Sequence, residues 1–306
     1  MTQPENEDRL MTAAGTTATT ANTAAAQPRR ARPVRAVVEG MPTSDGAGVK
    51  LTRLLGSRQL PMLDPFLMLD LFHTDRPEDY LAGFPDHPHR GFETVTYMLA
   101  GRLRHHDNHG HSGVIENGGV QWMTAGRGLV HSEMPEQEDG EMRGFQLWIN
   151  LPASQKMIDP AYREFAADRI PVERREGAGL RVIAGTTSQG TAGPIQGGAT
   201  EPRYFDVTLV PGATFEEALP PDHAAVVVVF EGAAILGEGT FRVAAPRLAV
   251  LGEGDRVSLS AGPSGARFLL LAGRPLQEPV AWGGPFVMNT REEVMQAFRD
   301  FEEGRF

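Results

Sequence analysis

The chain has 306 residues, 41% of them hydrophobic, enough for a sizeable packed core and a length typical of about two domains. A net charge of −10 disfavours a nucleic-acid-binding surface, and the absence of cysteine excludes disulfides, zinc ribbons and thiol catalysis. No apolar run approaches the roughly 20 residues of a membrane span, and no apolar stretch follows Arg29-Arg30 to make it a leader, so a reducing, cytoplasmic setting is expected.

Residues 1–33 are rich in Thr, Ala, Asn and Gln and nearly lack large apolar side chains. Such a segment cannot offset its ordering entropy by burial, and a disordered tail is expected. From Val34 the texture changes. Val34-Arg-Ala-Val-Val-Glu39 and Val49-Lys-Leu-Thr-Arg-Leu-Leu55 read as short strands around a Gly-rich turn. Leu63 to Phe72 is too apolar for a surface loop, and Pro65 prevents a long helix. Glu93 to Ala100, Val120 to Thr124 and Phe145 to Leu151 read as further strands, with a polar loop over 102–119 and a connector over 158–175.

The second half echoes the first. A strand closes on Gly101 in one half and on Gly232 in the other. Gly126-Arg-Gly128 is matched by Gly252-Glu-Gly254, and Arg143 before an apolar strand by Arg267. The repeated order predicts a duplicated β-barrel: a first domain over 34–171 and a second over 172–306. The second ends in a short helix, because Thr290-Arg-Glu-Glu293 is a capping box and Val294, Phe298 and Phe301 follow at helical spacing.

The chemistry lies in Phe84-Pro-Asp-His-Pro-His-Arg-Gly-Phe-Glu93 and Gly126-Arg-Gly-Leu-Val-His-Ser-Glu133. His87 and His89 are two apart at a strand entry, so they project from one face, and His131 and Glu133 repeat that spacing. Two such pairs facing each other across a small barrel would bind one divalent metal. Fe(II), Mn(II), Ni(II), Cu(II) and Zn(II) all suit three imidazoles and a carboxylate. Strand parity also leaves Glu93 open as the carboxylate ligand. The second barrel offers no partner for His223 at ligand spacing and is expected to be metal-free. His105, His106, His109 and His111 cluster in the polar loop as solvated residues or contacts at a cavity mouth, and His73 is isolated.

Leu63-Asp-Pro-Phe-Leu67, Gly83-Phe-Pro-Asp-His-Pro-His-Arg-Gly-Phe-Glu-Thr-Val95, Gln121-Trp-Met-Thr-Ala-Gly-Arg-Gly128, His131-Ser-Glu-Met-Pro135, Gln146-Leu-Trp148 and Gly284-Pro-Phe-Val-Met-Asn-Thr290 carry a resemblance. Over roughly residues 34–300 the chain resembles the pirin family. The resemblance implies an all-β bicupin, two tandem cupin-type barrels with a C-terminal helix. It implies metal ligation by His87, His89, His131 and Glu133, a mononuclear iron, and quercetin 2,3-dioxygenase activity toward a flavonol and O2. In some members it also implies a role as a transcriptional cofactor. Three readings follow: a flavonol dioxygenase with Glu133 as ligand and general base, an iron-dependent interaction module read by a transcription factor or metabolic enzyme, and a structural zinc barrel. A roomy apolar cavity beside the metal would favour the first; a small or polar one, the second.

Overall fold

The computed structural model describes residues 30–237 and 240–306. Two antiparallel β-barrels stand side by side, followed by one helix, Arg291–Glu302. One wall of the first barrel has seven strands. Their order is Ala161–Phe165, Val120–Thr124, Phe92–Ala100, Met142–Asn150, Phe66–Thr74, Val49–Leu55 and Met41–Asp45. The facing wall has four: Phe84–His89, Leu129–Pro135, Leu103–Asp107 and Ser112–Ile115. The stretch expected as a polar loop is therefore largely a hairpin. Its pattern, Leu103, His105 and Asp107 buried and Arg104 and His106 exposed, is the two-residue alternation of a strand in which histidine stands where an apolar residue would signal one.

Alternation also explains the large wall. On Met142–Asn150, Phe145, Leu147 and Ile149 enter a core shared with Val226, Val228 and Phe230 of the second barrel. Gln146 and Trp148 point the other way, into the first barrel. Each fully buried apolar side chain contributes about 1.5–3 kcal/mol, so the shared core welds the barrels together. The second barrel is filled from within by Phe205, Val207, Val227, Val229, Phe268 and Leu270. The related arginines of the repeat, Arg143 and Arg267, both lie over the Phe230 ring and both pair with Glu231.

The chain ends do not respect the two halves. Val34–Glu39, expected in the first barrel, pairs antiparallel with Arg247–Leu251 of the second. In return, the hairpin of Ala281–Gly283 and Phe286–Met288 and the helix behind it reach the first barrel, where Phe286 bridges to Arg90 and Asp300 pairs with Arg90 at 2.6 Å. The helix starts as its capping box predicts, with the Thr290 hydroxyl accepting from Glu293 N–H and the Glu293 carboxylate from Thr290 N–H. Val294 and Ala297 are its buried residues, whereas Phe301 is exposed.

Of the expected tail, residues 1–29 lie outside the described residues. Its last residues are ordered, against expectation. Ala31 bridges to Arg256, and buried Arg32 donates from Nη1 to the carbonyls of His223 and Gly252 and from Nη2 to that of Pro220. A charged donor serving three backbone carbonyls is not legible in a Thr/Ala-rich composition. Arg32→Ala is expected to lower stability by about 2–3 kcal/mol, read as a shifted urea midpoint; an unchanged midpoint would show that these bonds only replace water.

Candidate metal centre

The four-stranded wall builds the site. Phe84–His89 runs antiparallel to Leu129–Pro135 with His87 opposite His131, so the two cross-strand residues share a face. His89, two residues from His87, joins them. The ring nitrogens of His87, His89 and His131 come within 4.8 Å of one another, the one such group of metal-competent side chains among the described residues. His89 and His131 are buried, and His89 Nδ1 and both nitrogens of His131 have no protein partner. Buried imidazole nitrogens without partners are costly unless something else takes their lone pairs. His87 Nδ1 lies 2.8 Å from the Pro85 carbonyl, which can only accept, so Nδ1 carries the proton and Nε2 keeps its lone pair. Burial, and then neighbouring imidazoles, push His89 and His131 well below the usual histidine range. Neutral imidazole is the ligand form, so the donor set fits a transition metal.

Glu133 is buried on the same wall, next to a register shift after His131. The Thr96 hydroxyl is 2.9 Å from its Oε1, and Gln146 Nε2 donates to its Oε2 at 3.3 Å. Thr96 is also 2.6 Å from Gln146 Oε1 and has one proton to give, so the two side chains restrain the carboxylate with at most two bonds. Burial raises the Glu133 carboxyl above its ordinary range, opposed chiefly by His87 and the Thr96 hydroxyl.

Glu93 sits on the other face. It lies opposite Ile149 and Thr124, accepts from the Thr124 hydroxyl at 2.7 Å, and has Arg163 at 4.0 Å. Gly91 causes the change of parity. It takes a φ of +90° between the two strands, and a side chain there would meet the Val287 carbonyl at 2.0 Å. The break between His89 and Phe92 turns Glu93 toward the face of the shared core and Thr96 toward the cavity.

The fully buried Lys156 pins this junction, donating to the carbonyls of Gly91 and Val287 and to Asn150 Oδ1 at 2.6–2.9 Å. Burial brings its ammonium down to about 8. Arg90, one residue after His89, is held by Asp300 and lies 4.3 Å from the Phe306 ring centroid. Neither residue stands out in the sequence, because their partners come from distant segments.

The other histidines disperse. His105 is buried, stacks on Tyr162 and pairs with Glu164. His111 pairs with Asp107, and His73 with Glu141. His106 and His109 are exposed, and His223 is buried in the second barrel with no hydrogen-bond partner for its ring and the Glu201 carboxylate 3.9 Å from its Nε2. Beside His87 and His89 opens a cavity of about 730 Å3, of the size that holds small-molecule ligands. Its walls are largely apolar, with Trp148 and Trp282 stacked at a centroid distance of 6.0 Å and Trp148 edge-on to His89. Trp148 and Gln146 were legible in principle, as the alternate positions of an apolar strand; Trp282 arrives with the C-terminal hairpin.

Two cupin-type barrels in one chain, with a histidine triad in the first, define a bicupin. A Pirin family model matches residues 48–149 and a Pirin C-terminal cupin domain model residues 204–306. The chain is 60% identical over 276 residues to a pirin-like protein of Caulobacter vibrioides, covering 90% of this chain and 99% of that one. It is 41% identical to Homo sapiens pirin, covering 86% and 89%. Its fold matches the crystal structure of quercetin 2,3-dioxygenase from Acinetobacter baumannii with a TM-score of 0.84 and 36% identity, covering 90% and 99%. The chain belongs to the pirin family.

The buried imidazoles carry a pH dependence. Their pKa values are depressed in the folded chain, so they contribute stability that is present above the unfolded value of about 6.5 and lost as pH falls below it. Glu133, raised in the fold, works oppositely: its contribution is present in full below the unfolded value of about 4.5 and lost as pH rises. The histidine part is therefore read as a difference. Melting curves of chelator-treated wild type and His131→Gln, taken from about pH 7.5 to about pH 5, should converge or cross as pH drops. Parallel curves would mean that His131 is not held neutral by burial.

Proposed function

We propose that this protein is a metal-dependent dioxygenase that opens the heterocyclic ring of flavonols, a quercetin 2,3-dioxygenase. The observation that carries the reading is the roomy, mostly apolar cavity that opens on the histidine triad and is lined by two stacked tryptophans. A planar aromatic substrate fits such walls, and a surface read only by a protein partner needs no such interior. The name of the Acinetobacter baumannii relative supports the same choice.

In this reading His87, His89, His131 and Glu133 hold one divalent metal, iron(II) by preference. Bound there, it supplies Lewis acidity toward the flavonol 3-oxygen and redox access to O2. Trp148 and Trp282 align the flat ring system, and the apolar walls exclude water. Glu133, with its carboxyl raised by burial, takes the 3-hydroxyl proton. Thr96 and Gln146 keep the carboxylate aimed while it does so. The electron-rich flavonolate then reacts with O2, and the ring opens with loss of carbon monoxide.

Protein purified with iron supplied should hold one metal per chain, and His89→Ala should lose most of it. Two metals per chain, or none, would contradict the assignment. Glu133→Gln separates the roles of that residue: if it is also the base, the metal-saturated variant stays slower by about 10²–10⁴-fold, whereas a pure ligand is rescued by excess metal. Glu93→Gln should keep both metal and rate. An anaerobic flavonol titration that leaves the metal spectrum unchanged at high ligand would sink the dioxygenase reading and return the chain to the iron-dependent interaction module.

A further inference from the structure

A row of polar side chains crosses the large wall of the first barrel at one level. Thr96 is opposite Gln146, Gln146 opposite Asp70, and Asp70 opposite Arg53, on four successive strands. Directly opposed residues share a face, so the row runs along the cavity wall, from the pair that holds Glu133 to an ion pair between the third and fourth strands. Three inter-strand gaps make it roughly 14 Å long. Thr96, Gln146, Asp70 and Arg53 all line the cavity, as does Asp45 beyond them.

Arg53 is unusually constrained for a cavity-lining residue. Its Nε donates to Asp70 Oδ1 at 2.9 Å and its Nη2 to Asp70 Oδ2 at 2.8 Å, a two-pronged pair with an aspartate whose side chain is 2% exposed. Nη2 also donates to Asp45 Oδ2 at 3.1 Å, and none of these bonds uses Nη1. A fork fixed on one edge presents its other edge as a pre-oriented donor. Asp45, more than half exposed, adds an acceptor beside it.

We propose that Arg53, oriented by Asp70 and flanked by Asp45, is a specificity residue that receives a phenolic hydroxyl on an outer ring of the aromatic substrate. The inference rests on the flavonol reading above and adds which flavonols the cavity prefers. The chemistry distinguishes a phenol from a carboxylate. A phenolic hydroxyl accepts from Nη1 and donates to Asp45, satisfying both, whereas a carboxylate only accepts and is repelled by Asp45 and Asp70. Glu133 at one end and Arg53 at the other then hold a molecule of two or three linked rings lengthwise along the tryptophan wall.

The test is binding, followed by tryptophan fluorescence in metal-containing protein under anaerobic conditions, with turnover measured separately in air. The probes are 3-hydroxyflavone, with no hydroxyl on its outer rings, quercetin, with hydroxyls on both, and a carboxylated 3-hydroxyflavone. Wild type should bind quercetin about tenfold or more tightly than either of the others. Arg53→Lys, which keeps the charge against Asp70 but loses the free edge of the fork, should erase that preference while leaving 3-hydroxyflavone binding unchanged. Arg53→Met/Asp70→Leu, which removes the pair together, checks the result without leaving a buried charge unpaired. Equal binding of the three probes by wild type, a preference that survives both variants, or tightest binding of the carboxylate overturns the proposal. A preference without turnover keeps it and removes the dioxygenase reading; turnover without a preference does the reverse. A cavity that takes none of the probes removes both.

Discussion

The two barrels are joined through the outside of their large sheets, and that contact fixes what the inside can be. Phe145, Leu147 and Ile149 meet Val226, Val228 and Phe230 in one buried core. With the apolar positions of the wall committed to that core, the alternate positions face the interiors of the two barrels. In the first barrel they are Arg53, Asp70, Thr96, Gln146 and Trp148, and they line a cavity. In the second they are Phe205, Val207, Val227 and Phe268, and they close on one another. One duplicated architecture thus yields a hollow barrel and a solid one, and the solid one supports the other.

The exchanged ends add a second tie. The strand Val34–Glu39 joins the second barrel, and the terminal hairpin and helix return to the first. What they reach is the junction between the histidine strand and the strand after it. There Gly91 lies under Val287, Lys156 bridges the two carbonyls, and Arg90 is locked by Asp300. The backbone around His89 is accordingly over-determined, the condition under which ligand side chains can be held close together in advance of any ion.

Much of this was legible in the residues. The i, i+2 pairs place His87, His89 and His131 together, and the capping box at Thr290 places the helix, because both rest on local periodicity. Parity counted straight through Arg90 and Gly91 leaves Glu93 open as a ligand. It is the positive φ of Gly91, required by a backbone more than 190 residues away, that turns Glu93 aside. Likewise Val34–Glu39 reads correctly as a strand, but nothing in its composition says to which sheet it adds. Asp70 in Phe66-Leu-Met-Leu-Asp-Leu-Phe72 is a charge in an otherwise apolar strand. That signal points inward, although its partner Arg53 emerges only from the register. Local pattern fixes elements and faces; long-range closure fixes parity breaks and partners.

The Arg90–Asp300 lock spans 210 positions of sequence. During synthesis the histidine strands leave the ribosome long before the segment that braces them, and the whole second barrel is made in between. Until residues 286–300 emerge, the nascent first barrel lacks the Val287 and Asp300 contacts that fix the junction beside His89. Its imidazoles are then carried on an unbraced turn. The bracing of the histidine strand is thereby tied to late translation, and the geometry around the triad is complete only once the C-terminal segment has docked.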